Sequence, residues 1–125
     1  MERARSNQPS FFFSIIIPNF NGEKFIGECL KSILAGHYSN FEIIVVDNNS
    51  TDKSLSILKH FEKDSRITVV PLSENKNYAP ANNVGISYSK GQILVFLNND
   101  TRVDSHWLDE MLLVFEKNEQ VAALQ

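Results

Sequence analysis

The stretch "QILVFLNNDTRVD" (residues 92–104) decides how the chain is read. Ile93, Leu94, Val95, Phe96 and Leu97 form a continuous apolar run, which predicts a strand buried on both faces. The run stops on Asn98, Asn99 and Asp100, short polar side chains that suit neither a helix nor a strand. A turn accounts for such an ending, and so does a ligand. The segments on either side bear on the choice.

Working outward, apolar runs alternate with helical periodicity. "FSIII" (13–17) predicts a short strand stopped by Pro18, after which Asn21 is placed to cap a helix. That helix carries Phe25, Ile26, Cys29, Leu30, Ile33 and Leu34 on one face and ends at Gly36. "EIIVV" (42–46) predicts a second strand, and Ser50, Thr51 and Asp52 precede a helix with Leu55, Leu58 and Phe61. "ITVVPL" (67–72) predicts a third strand, whose Pro71 indicates an edge or an exit. A weaker helix over 80–89 leads to the opening stretch. Beyond it, Asp104 or Ser105 caps a helix with Trp107, Leu108, Met111, Leu112 and Phe115 facing inward, and "VAAL" (121–124) predicts a fifth strand. Strand–helix alternation of this kind specifies a mainly parallel α/β sheet. Residues 1–12 are expected to be a tail and 13–125 one domain, incomplete at its C-terminus.

Composition narrows the function. The chain has 125 residues, 42% hydrophobic and 22% charged, with a net charge of −3. That balance suits a globular domain and gives no basic excess for nucleic acid. The N-terminal basic residues and "FFFSIII" resemble a signal peptide only faintly, because Pro18 ends the run without a small-residue cleavage site. No stretch reaches the roughly 20 apolar residues of a membrane span. Cys29 has no cysteine partner and is expected to be a buried free thiol.

Ligands of an open α/β sheet bind outside the carboxyl ends of its strands. Each of the first four predicted strands is followed by a polar cluster there: Asn19, Asn21 and Gly22; Asp47 to Asp52; Ser73, Glu74, Asn75 and Asn77; Asn98 to Thr101. The first loop, "PNFNG", lacks both the dinucleotide fingerprint and the P-loop pattern. His37, His60 and His106 are scattered and read as surface or helix-end residues, and no Cys/His spacing suggests zinc. Two carboxylates remain, Asp47 and Asp100. One accepting hydrogen bonds from a nucleobase, the other holding a hard cation against a diphosphate, would make a nucleotide-sugar site. On chemistry alone, a generic flavodoxin-like fold with another ligand stays open.

Four linked segments carry a resemblance: "FSIIIPNFNGEKFIGECLKSIL", "FEIIVVDNNSTDKS", "ENKNYAPANNVGI" and "ILVFLNNDTRVD". Together they closely resemble the N-terminal half of family 2 glycosyltransferases of the GT-A fold. The resemblance implies a nucleotide site lined by Pro18, Asn19 and Asn21, with Asp47 recognising the base and Asn49 nearby. It implies nucleotide and phosphate contacts from Asn77, Ala81, Asn82 and Asn83. Asn98, Asn99 and Asp100 match the D-x-D-like motif, with Asp100 as ligand to Mg²⁺ or Mn²⁺. Asn98 stands where the stricter motif has Asp, so metal affinity without nucleotide should be low. The implied partners are a nucleotide-diphosphate sugar and a glycan or lipid-linked acceptor, with no nucleic acid. The implied place is the cytoplasm, at the inner face of a membrane. The base that deprotonates the acceptor belongs to the half of the family domain that nothing here matches. An exposed edge of a truncated sheet predicts self-association. The alternative function is a non-catalytic nucleotide-binding module.

Overall fold

Four apolar runs form four strands in the computed structural model, which describes residues 11–117: β1 (Phe13–Asn19), β2 (Phe41–Asp47), β3 (Ile67–Pro71) and β4 (Ile93–Phe96). They lie in the order β3-β2-β1-β4, and every pairing is parallel. Four helices alternate with them: α1 (Ile26–Leu34), α2 (Ser54–Phe61), α3 (Tyr78–Tyr88) and α4 (Trp107–Lys117). The expected α/β architecture is therefore present. The strand expected over 121–124 lies outside the described residues. Among the described residues, no helix is long and apolar enough to cross a membrane.

The strands' alternation divides the core in two. Ile15, Ile17, Ile43 and Val45 face one way and pack with Ile26, Leu30 and Ile33 of α1, Leu58 of α2 and Leu108 of α4. Trp107, Met111, Leu112 and Phe115 of α4 join this side, as their spacing predicts. Ile16, Ile44 and Val46 face the other way, against Ala81 and Val84 of α3. Helix α3 lies close to the sheet because Gly85 has no side chain; a Cβ there would stand 2.4 Å from Cγ2 of Ile16.

That second face is where the opening stretch departs from expectation. α3 packs on β1 and β2. Among the described residues β4 is an edge strand, with Leu94 half-buried and Phe96 40% exposed. The run is thus buried on one face, and its open face borders the rim described below.

Both strand prolines sit where the ladder needs no donor. Pro18 was expected to end β1, yet the strand continues to Asn19. The carbonyl of Ile16 accepts from Leu97 on the β4 side, and that of Asn19 accepts from Asn48 on the β2 side. Alternation then turns the Pro18 nitrogen toward the β4 side, where β4 has already ended. In β3, Arg66 faces β2 through its carbonyl, so the nitrogen of Pro71 faces the open edge.

Two helix starts differ from the sequence expectation. α1 begins at Ile26, and Asn21 does not cap it. Asn21 adopts φ of 50°, and its Oδ1 accepts from the backbone of Thr51 (2.8 Å) and Asp52 (3.3 Å). α3 begins at Tyr78, two residues before the expected start, and takes in Pro80. Proline is tolerated there because first-turn N–H groups have no helical partner.

Candidate functional site

The strand order fixes where a ligand fits. From β1 the chain moves to β2 and β3 on one side, then crosses to place β4 on the other. The connections after β1 and β4 therefore part at the carboxyl rim, the switch point where open α/β sheets bind ligands. Asn19 and Asn99 face one another across it, Asn99 Nδ2 donating to Asn19 Oδ1 at 2.8 Å. Gly22 packs against this pair; a Cβ on it would fall 2.3 Å from Asn19 Oδ1 and 2.4 Å from Asn99 Nδ2.

Asp47 is the anchor of the rim. It is fully buried at the end of β2. Its Oδ1 accepts from Asn19 Nδ2 (2.9 Å) and Ser50 Oγ (2.8 Å), and its Oδ2 accepts from the Ser50 backbone N–H (2.9 Å). Ser50 Oγ in turn accepts from the Asn21 N–H at 2.9 Å. Ser54 Oγ accepts from the Gly22 N–H at 3.0 Å. These bonds lock the β1 and β2 connections together, and they satisfy a carboxylate that burial would otherwise penalise. The residue expected to meet a base thus has its oxygens turned into the protein.

Next to it, Asn48 turns the other way. A groove of about 380 Å³ is lined by Pro18, Asn19, Phe20, Asn48, Asn75, Lys76, Asn77, Tyr78 and Asn99. The Asn48 amide makes a two-pronged contact with the Lys76 backbone: Oδ1 accepts from its N–H at 2.5 Å, and Nδ2 donates to its carbonyl. Phe20 and Tyr78 are 46% and 52% exposed, presenting ring faces at this rim. A second cavity of about 470 Å³ adjoins through Tyr78 and is lined by Asn82, Phe96, Leu97, Asn98 and Thr101. The Tyr78 hydroxyl donates to Asn98 Oδ1 at 2.7 Å, which ties the β3–α3 connection to the end of β4. Asn82 Oδ1 is buried without a hydrogen-bond partner among the described residues, an acceptor that a ligand donor would satisfy.

Asp100 is exposed, and its carboxylate makes no hydrogen bond or ion pair among the described residues. Asn98 and Asn99 are already engaged, by Tyr78 and Asn19. One free carboxylate fits Mg²⁺ or Mn²⁺, which take one or two protein oxygens and complete their shell with phosphate and water. Two of the later carboxylates are occupied. Asp104 accepts from the His106 N–H at 3.0 Å, and Asp109 faces His37. Cys29 lies beneath this loop, its thiol 3.9 Å from the Asn98 carbonyl oxygen. Burial pushes it up to about 11, so it stays protonated at neutral pH.

Of the residues named from sequence, Pro18, Asn19, Asn77 and Asn99 line the first cavity, and Asn82 and Asn98 line the second. Asn21 is turned to the β2 connection. Ala81 is fully buried against the sheet, and Asn49 and Asn83 are exposed and line neither cavity. Sequence reasoning took in Phe20 only as part of the Asn19–Asn21 loop and Asn48 only as part of the cluster after β2, and it passed over Lys76 and Tyr78 as site residues. Asn48 carried a readable signal, because side chains alternate along an extended chain: a neighbour turned to one side at Asp47 turns Asn48 to the other, where it lines the groove although it is itself buried.

The profile of glycosyl transferase family 2 matches residues 14–125. The chain is 34% identical over 103 residues to the glycosyltransferase GlyG of Streptococcus pneumoniae, covering 82% of this chain and 34% of GlyG. It is 31% identical over 108 residues to the UDP-Glc:alpha-D-GlcNAc-diphosphoundecaprenol beta-1,3-glucosyltransferase WfgD of Escherichia coli, covering 86% and 42%. Among solved structures, S. aureus TarS 1-349 in complex with UDP-GlcNAc superimposes with a TM-score of 0.79 at 26% identity, over 86% of this chain and 32% of TarS. The chain spans less than half the length of each of these relatives.

Proposed function

This chain belongs to glycosyl transferase family 2, and from that membership we propose that residues 13–125 carry the donor-binding half of an inverting, metal-assisted sugar transfer from a nucleotide-diphosphate sugar. The observation that carries the reading is the groove at the β1/β4 switch point, with exposed aromatic rings and an amide edge; the exposed Asp100 lines neither cavity but belongs to the loop that lends Asn98 and Thr101 to the adjoining one. Phe20 and Tyr78 offer surfaces for a base, and the Asn48 amide offers a donor and an acceptor once it exchanges Lys76 for the base edge. Asp47 supports that contact from behind by fixing the loop. Lys76 brings a positive charge to the diphosphate side. Asp100 would hold Mg²⁺ or Mn²⁺, and a cation bound there offsets the charge of the departing nucleoside diphosphate. Asn98, Thr101 and the unsatisfied Asn82 oxygen line space for the donor's remaining polar groups.

The donor in this reading is a UDP-sugar, supported by the UDP-GlcNAc bound to TarS. The acceptor is a glycan or lipid-linked saccharide, supported by the lipid-linked substrate in the WfgD name. That acceptor places the reaction at the inner face of a membrane.

A second reading, a binding module without turnover, is favoured by one observation. Among the described residues after Asp100, Asp104 accepts from the His106 N–H, Asp109 faces His37, and Glu110 and Glu116 lie on α4, and no carboxylate after Asp100 lines either cavity to deprotonate an acceptor. Calorimetry with UDP, dTDP and GDP, followed by an assay for UDP release with acceptor, separates the two. The first reading predicts that UDP binds best and that Asn48→Ala weakens it. Equal binding of all three nucleotides, or of none, counts against the site. UDP binding without release under any acceptor favours the module.

A further inference from the structure

The fold brings His37 together with two ligating side chains about seventy residues further along the chain, apart from the rim. His37 follows the C-terminal end of α1, while His106 and Asp109 stand three residues apart at the start of α4. Ring nitrogens of His37 and His106 and a carboxylate oxygen of Asp109 all lie within 4.8 Å of one another. We propose that His37, His106 and Asp109 form a surface site for a borderline transition-metal ion, Zn²⁺ foremost, that clamps the start of α4 to the end of α1.

Three features of the geometry support this. First, His37 Nδ1 stands 3.3 Å from Asp109 Oδ2. Ligands about 2.0–2.1 Å from a tetrahedral ion are separated by about 3.3 Å, so this pair already has the spacing of two zinc ligands. Second, the frame around the cluster is tied down. The His37 N–H donates to the Ser105 carbonyl at 2.8 Å, and Asp104 Oδ2 accepts from the His106 N–H at 3.0 Å. Third, the two imidazoles are neighbours, ring centroids 5.2 Å apart and tilted by 33°; to reach ligand spacing from within 4.8 Å, His106 turns toward the pair, away from the Ser105 hydroxyl now 3.2 Å from its Nδ1.

The donor set decides the metal. Two imidazoles and one carboxylate suit Zn²⁺, Co²⁺ or Ni²⁺, whereas Mg²⁺ and Ca²⁺ prefer oxygen. His37 is 71% exposed, so a fourth position opens to water. The cluster is separate from the Asp100 rim. α1 starts at the carboxyl end of the sheet and runs back along it for nine residues, on the order of 13 Å, before reaching His37. A metal here would bear on how α4 is held and leave the diphosphate site to its own cation.

The test is Zn²⁺ and Mg²⁺ titration of the 125-residue chain, followed by calorimetry and by the imidazole signals of its three histidines in NMR spectra. The proposal predicts one equivalent of Zn²⁺ bound in preference to Mg²⁺, with His37 and His106 shifted and His60 unmoved. His37→Ala and Asp109→Asn should each weaken Zn²⁺ by at least roughly tenfold, the loss that removal of even an outer-shell partner typically causes. Asp100→Ala should leave Zn²⁺ binding unchanged. Because the three residues lie on the surface, circular dichroism should show all variants folded. Unsaturable Zn²⁺ binding, or binding that survives both substitutions, overturns the proposal and leaves a His37–Asp109 ion pair only.

Discussion

Asp47 organises the rim from a fully buried position. Its two oxygens hold Asn19 and Ser50, and through them the connections after β1 and β2. Asp47→Asn replaces one acceptor by a donor facing the Ser50 N–H or the Asn19 amide, leaving a buried clash of donors. Urea unfolding should show a loss of about 1–3 kcal/mol, and UDP binding should weaken as the loop loosens. Asn49 sits beside it with φ of 65°, a left-handed conformation that asparagine tolerates and β-branched residues do not. Asn49→Val should cost about 1–2 kcal/mol in the same assay, and Asn49→Gly nothing measurable. Cys29 gives the pH prediction. Burial raises the thiol from 9.0 to about 11, so the folded state keeps its proton where the unfolded state loses it. The stability from Cys29 is complete below pH 9 and is lost as pH rises from 9 toward 11. The thiol should resist a disulfide reagent at neutral pH until the chain unfolds, and Cys29→Ala should flatten the alkaline loss.

At the scale of elements, close approaches made by glycines position the site. Gly85 lets α3 rest on Ile16, so Gly85→Ala should destabilise the fold by about 1–3 kcal/mol through overpacking, read from the urea midpoint. Gly22→Ala pushes into the Asn19–Asn99 pair, and should weaken nucleotide binding more than it lowers the melting temperature. The element types were legible from periodicity, since among the described residues each β-branched run and each apolar stripe became the expected strand or helix. The boundaries were less so, and the reasons are particular. Pro18 was misread as a stop because sequence does not show which neighbour a strand nitrogen faces. Asn21 was misread as a cap because its side chain bonds across to Thr51, thirty residues away. Phe96 was expected to be buried because no local signal shows that α3 stops short of β4.

At the scale of the whole molecule, the rim was legible and its internal roles were not. The polar clusters after the strands of an all-parallel sheet converge on one side by topology, whereas the choice of Asp100 as metal ligand came from the family resemblance. Which of Asp47 and Asn48 faces the groove depended on how β2 ends, and the pairing of His37 with His106 and Asp109 depended on tertiary packing alone. The central claim is that the switch-point groove takes a nucleoside diphosphate through a cation at Asp100. It is tested most directly by calorimetry of UDP on the chain and on Asp100→Ala, each with and without Mn²⁺. The account predicts that Mn²⁺ strengthens UDP binding by about tenfold or more, a difference of about 1.4 kcal/mol, and that Asp100→Ala abolishes the gain. UDP that fails to bind, or a Mn²⁺ effect that persists undiminished in Asp100→Ala, would contradict it.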